Sequence, residues 1–254
     1  LDRLVERIQN YVPGGPQNAD TNVSTHYEYD PAGNLTRVID PNGTVTCYEY
    51  DALNRLTAEI RNFRPGEPPG PDVNVTTHYE YDPNGNLIRR VNPRGFATVY
   101  AYDAANRLIA VTDALSQTTT YAYDPDGNLI ALTDPAGMTI RYEYDLLDRR
   151  TAEIRNFRPD LPSGPDVNVT TRYEYDPAGN LVRVVNPNGI PTCYEYDALN
   201  RLITEIRNCQ PGQPPGPDVN VATHYEYDRV GNLILLTDPN GHSTHFVYDG
   251  LNRL

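Results

Sequence analysis

The sequence has no tryptophan, one methionine and four phenylalanines among its 254 residues. A chain so poor in these side chains does not build a conventional aliphatic core around helices. Positive charge is also scarce: lysine and arginine total 21 against 34 acidic residues, a formal net charge of −13. Phosphate recognition needs a basic surface, so nucleic acid is not expected as a partner, and binding to anionic membrane is disfavoured. No apolar run approaches the ~20 residues that cross a bilayer, so no membrane span is expected. Nothing at the N-terminus resembles a signal peptide, which places any export address outside this piece. Three cysteines, Cys47, Cys193 and Cys209, are too few and too irregular for a disulfide framework or a C-x-x-C zinc site. Cys47 and Cys193 both precede Tyr-Glu-Tyr-Asp, where other copies carry His, Val, Thr or Arg, and they read as tolerated substitutions.

What is abundant is tyrosine (20), proline (23) and glycine (18). Tyr, Thr and Val favour a pleated surface and Gly, Pro, Asn and Asp favour turns, so the composition leans to an all-β fold. The order is periodic. Tyr-Asp recurs at Tyr29-Asp30, Tyr50-Asp51, Tyr81-Asp82, Tyr102-Asp103, Tyr123-Asp124, Tyr144-Asp145, Tyr175-Asp176, Tyr196-Asp197, Tyr227-Asp228 and Tyr248-Asp249. Successive spacings are 21, 31, 21, 21, 21, 31, 21, 31 and 21, so the longer unit is the shorter plus ten residues.

Each unit holds two turn signals, as in Asp30-Pro31-Ala32-Gly33 followed by Asp40-Pro41-Asn42-Gly43. The aspartate carboxylate bonds the turn backbone, proline presets φ, and glycine accepts a positive φ at the fourth place, as Gly85, Gly127, Gly179 and Gly231 do in their own copies. Where glycine is missing, Asn54, Asn106, Asn200 or Asp148 stands there, the residue types that best tolerate the left-handed region. Between turns lie strand-length segments, and two-fold alternation puts Tyr48 and Tyr50 on one face with Leu56, Ala58 and Ile60 aligned in the returning strand. Stacked copies are expected to form tyrosine ladders beside a Leu/Ile stripe, each hairpin stable only through its neighbours. The longer units carry proline-rich insertions near residues 9–22, 61–74, 155–168 and 207–220, which must leave the sheet as protruding loops because proline cannot donate to a ladder.

The pattern Y-x-Y-D-x-x-G/N-x-L, repeated ten times with D/N-P-x-G turns between copies, resembles the RHS/YD-repeat family of bacterial Rhs and wall-associated toxins, Tc toxin B and C components, and teneurins. The resemblance covers nearly the whole chain, with Phe246 replacing the first tyrosine of the last copy. It implies a long antiparallel sheet that spirals into a hollow shell around an enclosed toxin or into a barrel-like surface domain. It implies a secreted or cell-surface setting as well. Leu251-Asn252-Arg253-Leu254 matches Leu1-Asp2-Arg3-Leu4 in phase, so the array is expected to be part of a longer chain.

The residues offer little chemistry. The aspartates of Tyr-Asp recur in every turn, whereas catalysis needs one unusual constellation, so no catalytic residue, cofactor or metal is expected. Asp51 with Arg55, Asp103 with Arg107 and Asp197 with Arg201 read as solvated surface pairs. His26, His78 and His224 share one repeat position, but Arg172 fills it in the remaining copy, which argues against a metal. Asn22, Asn34, Asn42, Asn74 and Asn168 begin N-x-S/T sequons that matter only in a eukaryotic secreted protein. The leading expectation is a non-catalytic scaffold, a shell wall or an extracellular fibre, whose partners are neighbouring repeats, further copies or an enclosed toxin domain. The alternative is a cell-surface module that recognises glycan or protein through the tyrosine ladder and the loops around Phe63 and Phe157.

Overall fold

The structure, a computed structural model, describes residues 3–254, so Leu1 and Asp2 of the terminal match lie outside the described residues. Among the described residues every regular element is a strand, twenty in all. They form two compact units, one running to residue 120 and the other covering 121–254. The first holds β1 (Glu6–Gln9), β2 (Val23–Tyr29), β3 (Leu35–Ile39), β4 (Val45–Tyr50), β5 (Leu56–Arg61), β6 (Val75–Tyr81), β7 (Leu87–Val91), β8 (Ala97–Tyr102), β9 (Leu108–Thr112) and the start of β10 (Thr118–Tyr123). Each strand pairs antiparallel with the next. The second unit continues with β11 (Leu129–Thr133), β12 (Thr139–Tyr144), β13 (Arg150–Arg155), β14 (Val169–Tyr175), β15 (Leu181–Val185), β16 (Pro191–Tyr196), β17 (Leu202–Arg207), β18 (Val221–Tyr227), β19 (Leu233–Thr237) and β20 (Ser243–His245). Its strands from β11 to β20 follow the same antiparallel succession.

The turns explain this order. The Asp30 N–H donates to the Asn34 carbonyl at 3.0 Å and the Gly33 N–H to the Asp30 carbonyl at 3.1 Å, which closes a three-residue hairpin loop. Gly33 has φ +103° and Asn54, in the same place one turn later, has φ +60°. The turn at Asp40 is built alike, with Asp40 donating to Thr44 at 3.0 Å and Gly43 to Asp40 at 2.9 Å.

The two turn families differ in register. At an Asp-Pro turn pairing runs on unbroken, Arg37 opposite Cys47, Val38 opposite Thr46 and Ile39 opposite Val45. At a Tyr-Asp turn it shifts by one: Glu49 opposes Ala58 but Tyr50 opposes Leu56, which leaves Thr57 bulged. Alternation alone does not foresee this shift, and it changes the ladder. The second tyrosine, as at Tyr29, Tyr50 and Tyr81, meets the first residue of the returning strand, while the first tyrosine meets Glu59 (from Tyr48), Val38 (from Tyr27) or Arg90 (from Tyr79), so what lies opposite it changes from copy to copy and is not always aliphatic.

Burial is slight on both faces. The buried hydrophobic residues among those described are Ala58, Ala152 and Cys209, and no large side chain is fully enclosed. The chain exposes 16702 Å², where a compact protein of 28.5 kDa exposes roughly 11,000 Å². Stability therefore rests on contacts between neighbouring hairpins and not on a core.

Candidate functional site

Each Tyr-Asp turn is organised by its carboxylate. Asp51 Oδ1 accepts the N–H groups of Leu53 and Arg55, both at 2.9 Å, and its Oδ2 accepts Arg55 Nε at 2.7 Å. In the glycine-bearing turns asparagine replaces arginine: Asp30 Oδ1 accepts Gly33 at 2.7 Å and Asn34 at 2.8 Å, and Oδ2 accepts the Asn34 side-chain amide at 2.8 Å. Bonds to the ionised form depress all ten carboxyls below the ordinary aspartate value. The largest cause is the Asn34, Asn86 or Asn180 amide at Asp30, Asp82 and Asp176, and the backbone N–H of Arg55 or Arg107 at Asp51 and Asp103. At Asp145, Asp197 and Asp249 it is the guanidinium of Arg149, Arg201 or Arg253. At Asp124 and Asp228 partial burial is the largest influence and pushes upward, but the bonds from Asn128 and Asn232 outweigh it.

The same side chains reach the next turn. The Asn34 amide also donates to Asn54 Oδ1 at 2.8 Å, and Asn86 to Asn106, Asn128 to Asp148, Asn180 to Asn200 and Asn232 to Asn252 repeat the bond at 2.7–3.0 Å. Arg55 carries the link onward: its Nη1 donates to the Asp82 carbonyl at 2.8 Å while the guanidinium lies 4.9 Å above the Tyr81 ring. Arg3, Arg149 and Arg201 do the same to Asp30 with Tyr29, Asp176 with Tyr175 and Asp228 with Tyr227. The turns thus alternate between a Gly-Asn class, tied forward by asparagine, and an Asn-Arg class, tied forward by arginine.

This corrects the expectation of solvated ion pairs. The Arg55 and Asp51 side chains are only 25% and 24% exposed because the next tyrosine covers them, whereas Arg253 is 72% exposed. All 21 basic residues are arginine, and the staple needs the planar fork that lysine lacks.

The tyrosines complete the edge. Tyr50, Tyr102, Tyr144 and Tyr196 each donate their hydroxyl to the first carbonyl of the strand before, Leu35, Leu87, Leu129 and Leu181, at 2.9–3.0 Å. Tyr29 and Tyr175 reach Leu4 and Arg150, both at 2.9 Å. Burial pushes the phenols of Tyr50, Tyr81, Tyr102, Tyr144 and Tyr196 up. Tyr123 ends β10, and Tyr248 precedes the last turn, closed by Asp249 and Arg253 at 2.9 Å.

The long loops lie on the opposite edge, and asparagine, not proline, is what shapes them. Asn62 and Asn74 both have positive φ, +47° and +49°, and the Asn74 N–H donates to the Asn62 carbonyl at 3.1 Å to close the loop. Asn74 Oδ1 accepts the Arg64 N–H at 2.8 Å, and its amide donates to the carbonyls of Arg64 (3.1 Å) and Glu67 (2.7 Å). The same clamp recurs at Asn22, Asn168 and Asn220. The sequence carried a signal for it, an asparagine pair twelve residues apart in all four loops. Four of the five sequon amides, those of Asn22, Asn34, Asn74 and Asn168, are already hydrogen bonded within the fold.

Phe63 and Phe157 sit at the loop mouths half-buried, their N–H groups bonded at 2.8 Å to Val45 and Thr139. In the fourth loop the place belongs to Cys209, which is bonded to Cys193. Two of the three cysteines are therefore a disulfide pair and not tolerated substitutions, while Cys47 is free and half-buried. Reading the cysteines by their distance along the chain missed the pairing, because an intervening hairpin brings the two positions together.

The histidines do not converge. His26 lies 3.8 Å from Glu6 and His224 3.5 Å from Thr204, and no group of metal-ligating side chains occurs among the described residues.

Two family comparisons match this repeat. Residues 94–211 correspond to the Teneurin YD-shell, and residues 18–45, 29–63 and 223–254 to the RHS Repeat. Together the two family models match most of the chain, which is similar to RHS/YD-repeat proteins. Toxin subunit YenC2 of Yersinia entomophaga is 28% identical to this chain over 209 residues, 77% of the chain and 18% of that subunit. A chain of the Tc holotoxin pore of Photorhabdus luminescens shares the fold, with a TM-score of 0.50 at 16% identity over 85% of this chain and 13% of that one. The RHS/YD array thus spans less than a fifth of either relative.

Proposed function

We propose that this array is a stretch of shell wall, a non-catalytic scaffold that, within a longer secreted protein, helps to enclose a polypeptide toxin. The stitching of successive Tyr-Asp turns carries the reading. The carboxylate of every Tyr-Asp turn is engaged with its own turn, which supports a structural and not a catalytic role for these aspartates. A sheet fastened along its edge needs no core, so it serves as a wall one strand layer thick. The Cys193–Cys209 bond supports an oxidising, extracellular setting, and the likeness to a toxin subunit supports the cargo.

Electron microscopy of the longer protein that contains this array tests the proposal. Hollow particles with a regular wall, and a cargo domain resistant to protease until the wall is disrupted, are expected. Filaments of unlimited length, or solid particles with freely digested cargo, would overturn it.

A further inference from the structure

The β7–β8 hairpin departs from the rest of the array at three nearby positions. Where β7 has Arg90, the corresponding strands have Val38, Val111, Leu132, Val184 and Leu236. At the turn place of Arg94 the other hairpins carry Asn42, Leu115, Ala136, Asn188 and Asn240, and Phe96 replaces Thr44, Gln117, Met138, Ile190 and His242. The place of Arg90 is aliphatic in each of those other strands, so an arginine there answers to something other than the fold; the places of Arg94 and Phe96 vary from copy to copy, but none of the other hairpins puts an arginine or a phenylalanine in them.

All three side chains are exposed, Phe96 to 54%. Arg89 pairs with Glu80 at 2.5 Å, whereas among the described residues neither the Arg90 nor the Arg94 guanidinium has an ionic or hydrogen-bonded partner. Arg90, Asn92, Phe96, Thr98, Asp113 and Leu115 line a hollow of about 430 Å³. Phe96 and Arg94 also border a groove of about 1150 Å³ against His78 and the Pro69–Pro71 segment of the second long loop. The carboxylate in the hollow is committed to its own turn, since Asp113 Oδ1 accepts the N–H groups of Leu115 at 2.9 Å and Gln117 at 2.8 Å.

We propose that this hollow docks an acidic polypeptide segment, one that presents carboxylates beside an apolar side chain. In a chain of net charge −13, Arg90 lining the hollow and Arg94 lining the adjoining groove are two unpaired guanidiniums that border the same exposed ring, Phe96. Guanidinium forks take carboxylates, and the apolar wall of Phe96 and Leu115 takes the side chain between them. The hollow has the volume of a few side chains, which suits a short extended segment.

The test uses the intact chain and a labelled peptide of alternating Glu and Leu, with its Gln/Leu counterpart, read by fluorescence anisotropy. Arg90→Val, Arg94→Asn and Phe96→Thr each restore the residue found in the β3–β4 hairpin, so the fold is retained, and thermal melting checks this. The acidic peptide binds, more weakly as salt rises. The Gln/Leu peptide and the triple variant each bind about tenfold less tightly or worse, while Arg183→Ala on another hairpin leaves binding intact. Equal binding of the Gln/Leu peptide, or undiminished binding by the triple variant, overturns the proposal. So does capture of a single-stranded oligonucleotide in place of the peptide. A dimer abolished by the same three substitutions would assign the hollow to a second copy and overturn it as well.

Discussion

Cys193, in β16, is bonded to Cys209 at the mouth of the fourth long loop, with the two Cα atoms 5.9 Å apart at a sequence separation of 16. The same two places hold Arg141 and Phe157 at the third loop, where the guanidinium lies 5.0 Å above the ring, and Cys47 and Phe63 at the second. One junction between strand and loop is thus closed by different chemistries in different copies.

That equivalence predicts a second disulfide. Phe63→Cys should pair with Cys47, so that thiol titration of the unfolded variant finds no free cysteine where the parent has one. Conversely, Cys209→Phe should lower unfolding free energy by about 2–3 kcal/mol in denaturant titration, the usual effect of a disulfide closing a loop of this length. An unchanged midpoint would mean that packing alone holds the junction.

The asparagine clamp predicts where the loops become vulnerable. Asn74→Gly keeps a residue suited to positive φ and removes only the buried amide, so its effect isolates the clamp. Three hydrogen bonds are lost, and about 1–3 kcal/mol of local stability with them. Limited proteolysis should then cut within residues 61–74 while the loop at 155–168 resists, and equal resistance of both loops would contradict the role given to Asn74.

The arginine staple predicts a difference between two turns of the same class. Arg55→Lys removes the fork that joins Asp51 to Asp82 and the stacking on Tyr81, a loss of about 1–2 kcal/mol. Arg253→Lys, at an exposed turn with Asp249 as its recorded partner, should leave the melting temperature nearly unchanged. Equal effects in the two variants would reduce the staple to a surface pair.

The aspartates predict the response to acid. Each of the ten has a folded value below its ordinary one, so the unfolded chain binds protons more readily as pH falls. Their stabilising contribution is complete above about pH 4, the unfolded aspartate value, and is lost as pH drops through the lower folded values. Circular dichroism melts should be flat from neutral pH to about 5 and fall steeply below about 4. The Asp51→Asn variant should show a shallower fall than the parent, and an identical acid slope would remove the carboxylate bonds from the account.

Much of this architecture is legible in the sequence because its determinants are local. Asp30, Pro31 and Gly33 reverse the chain through bonds that span at most four residues, and the same tetrapeptide logic repeats at every copy. The one-residue bulge at Thr57 escaped, since nothing in the alternation of Leu56, Ala58 and Ile60 marks where pairing slips. The prolines marked the long loops as segments outside the sheet, but the asparagine pairs that close them were visible only as a spacing.

By itself, then, the sequence determined an all-β array of hairpins, the places of its turns and the positions of its four long loops, because a turn is decided by the few residues within it. Tertiary structure alone decided which atoms meet across the turns: Arg55 with an Asp82 carbonyl twenty-seven residues away, Asn34 with Asn54 twenty residues away, Cys193 with Cys209. Those partners depend on how far each strand is slid along its neighbour, and that register is set jointly by the bulges and by every adjoining hairpin.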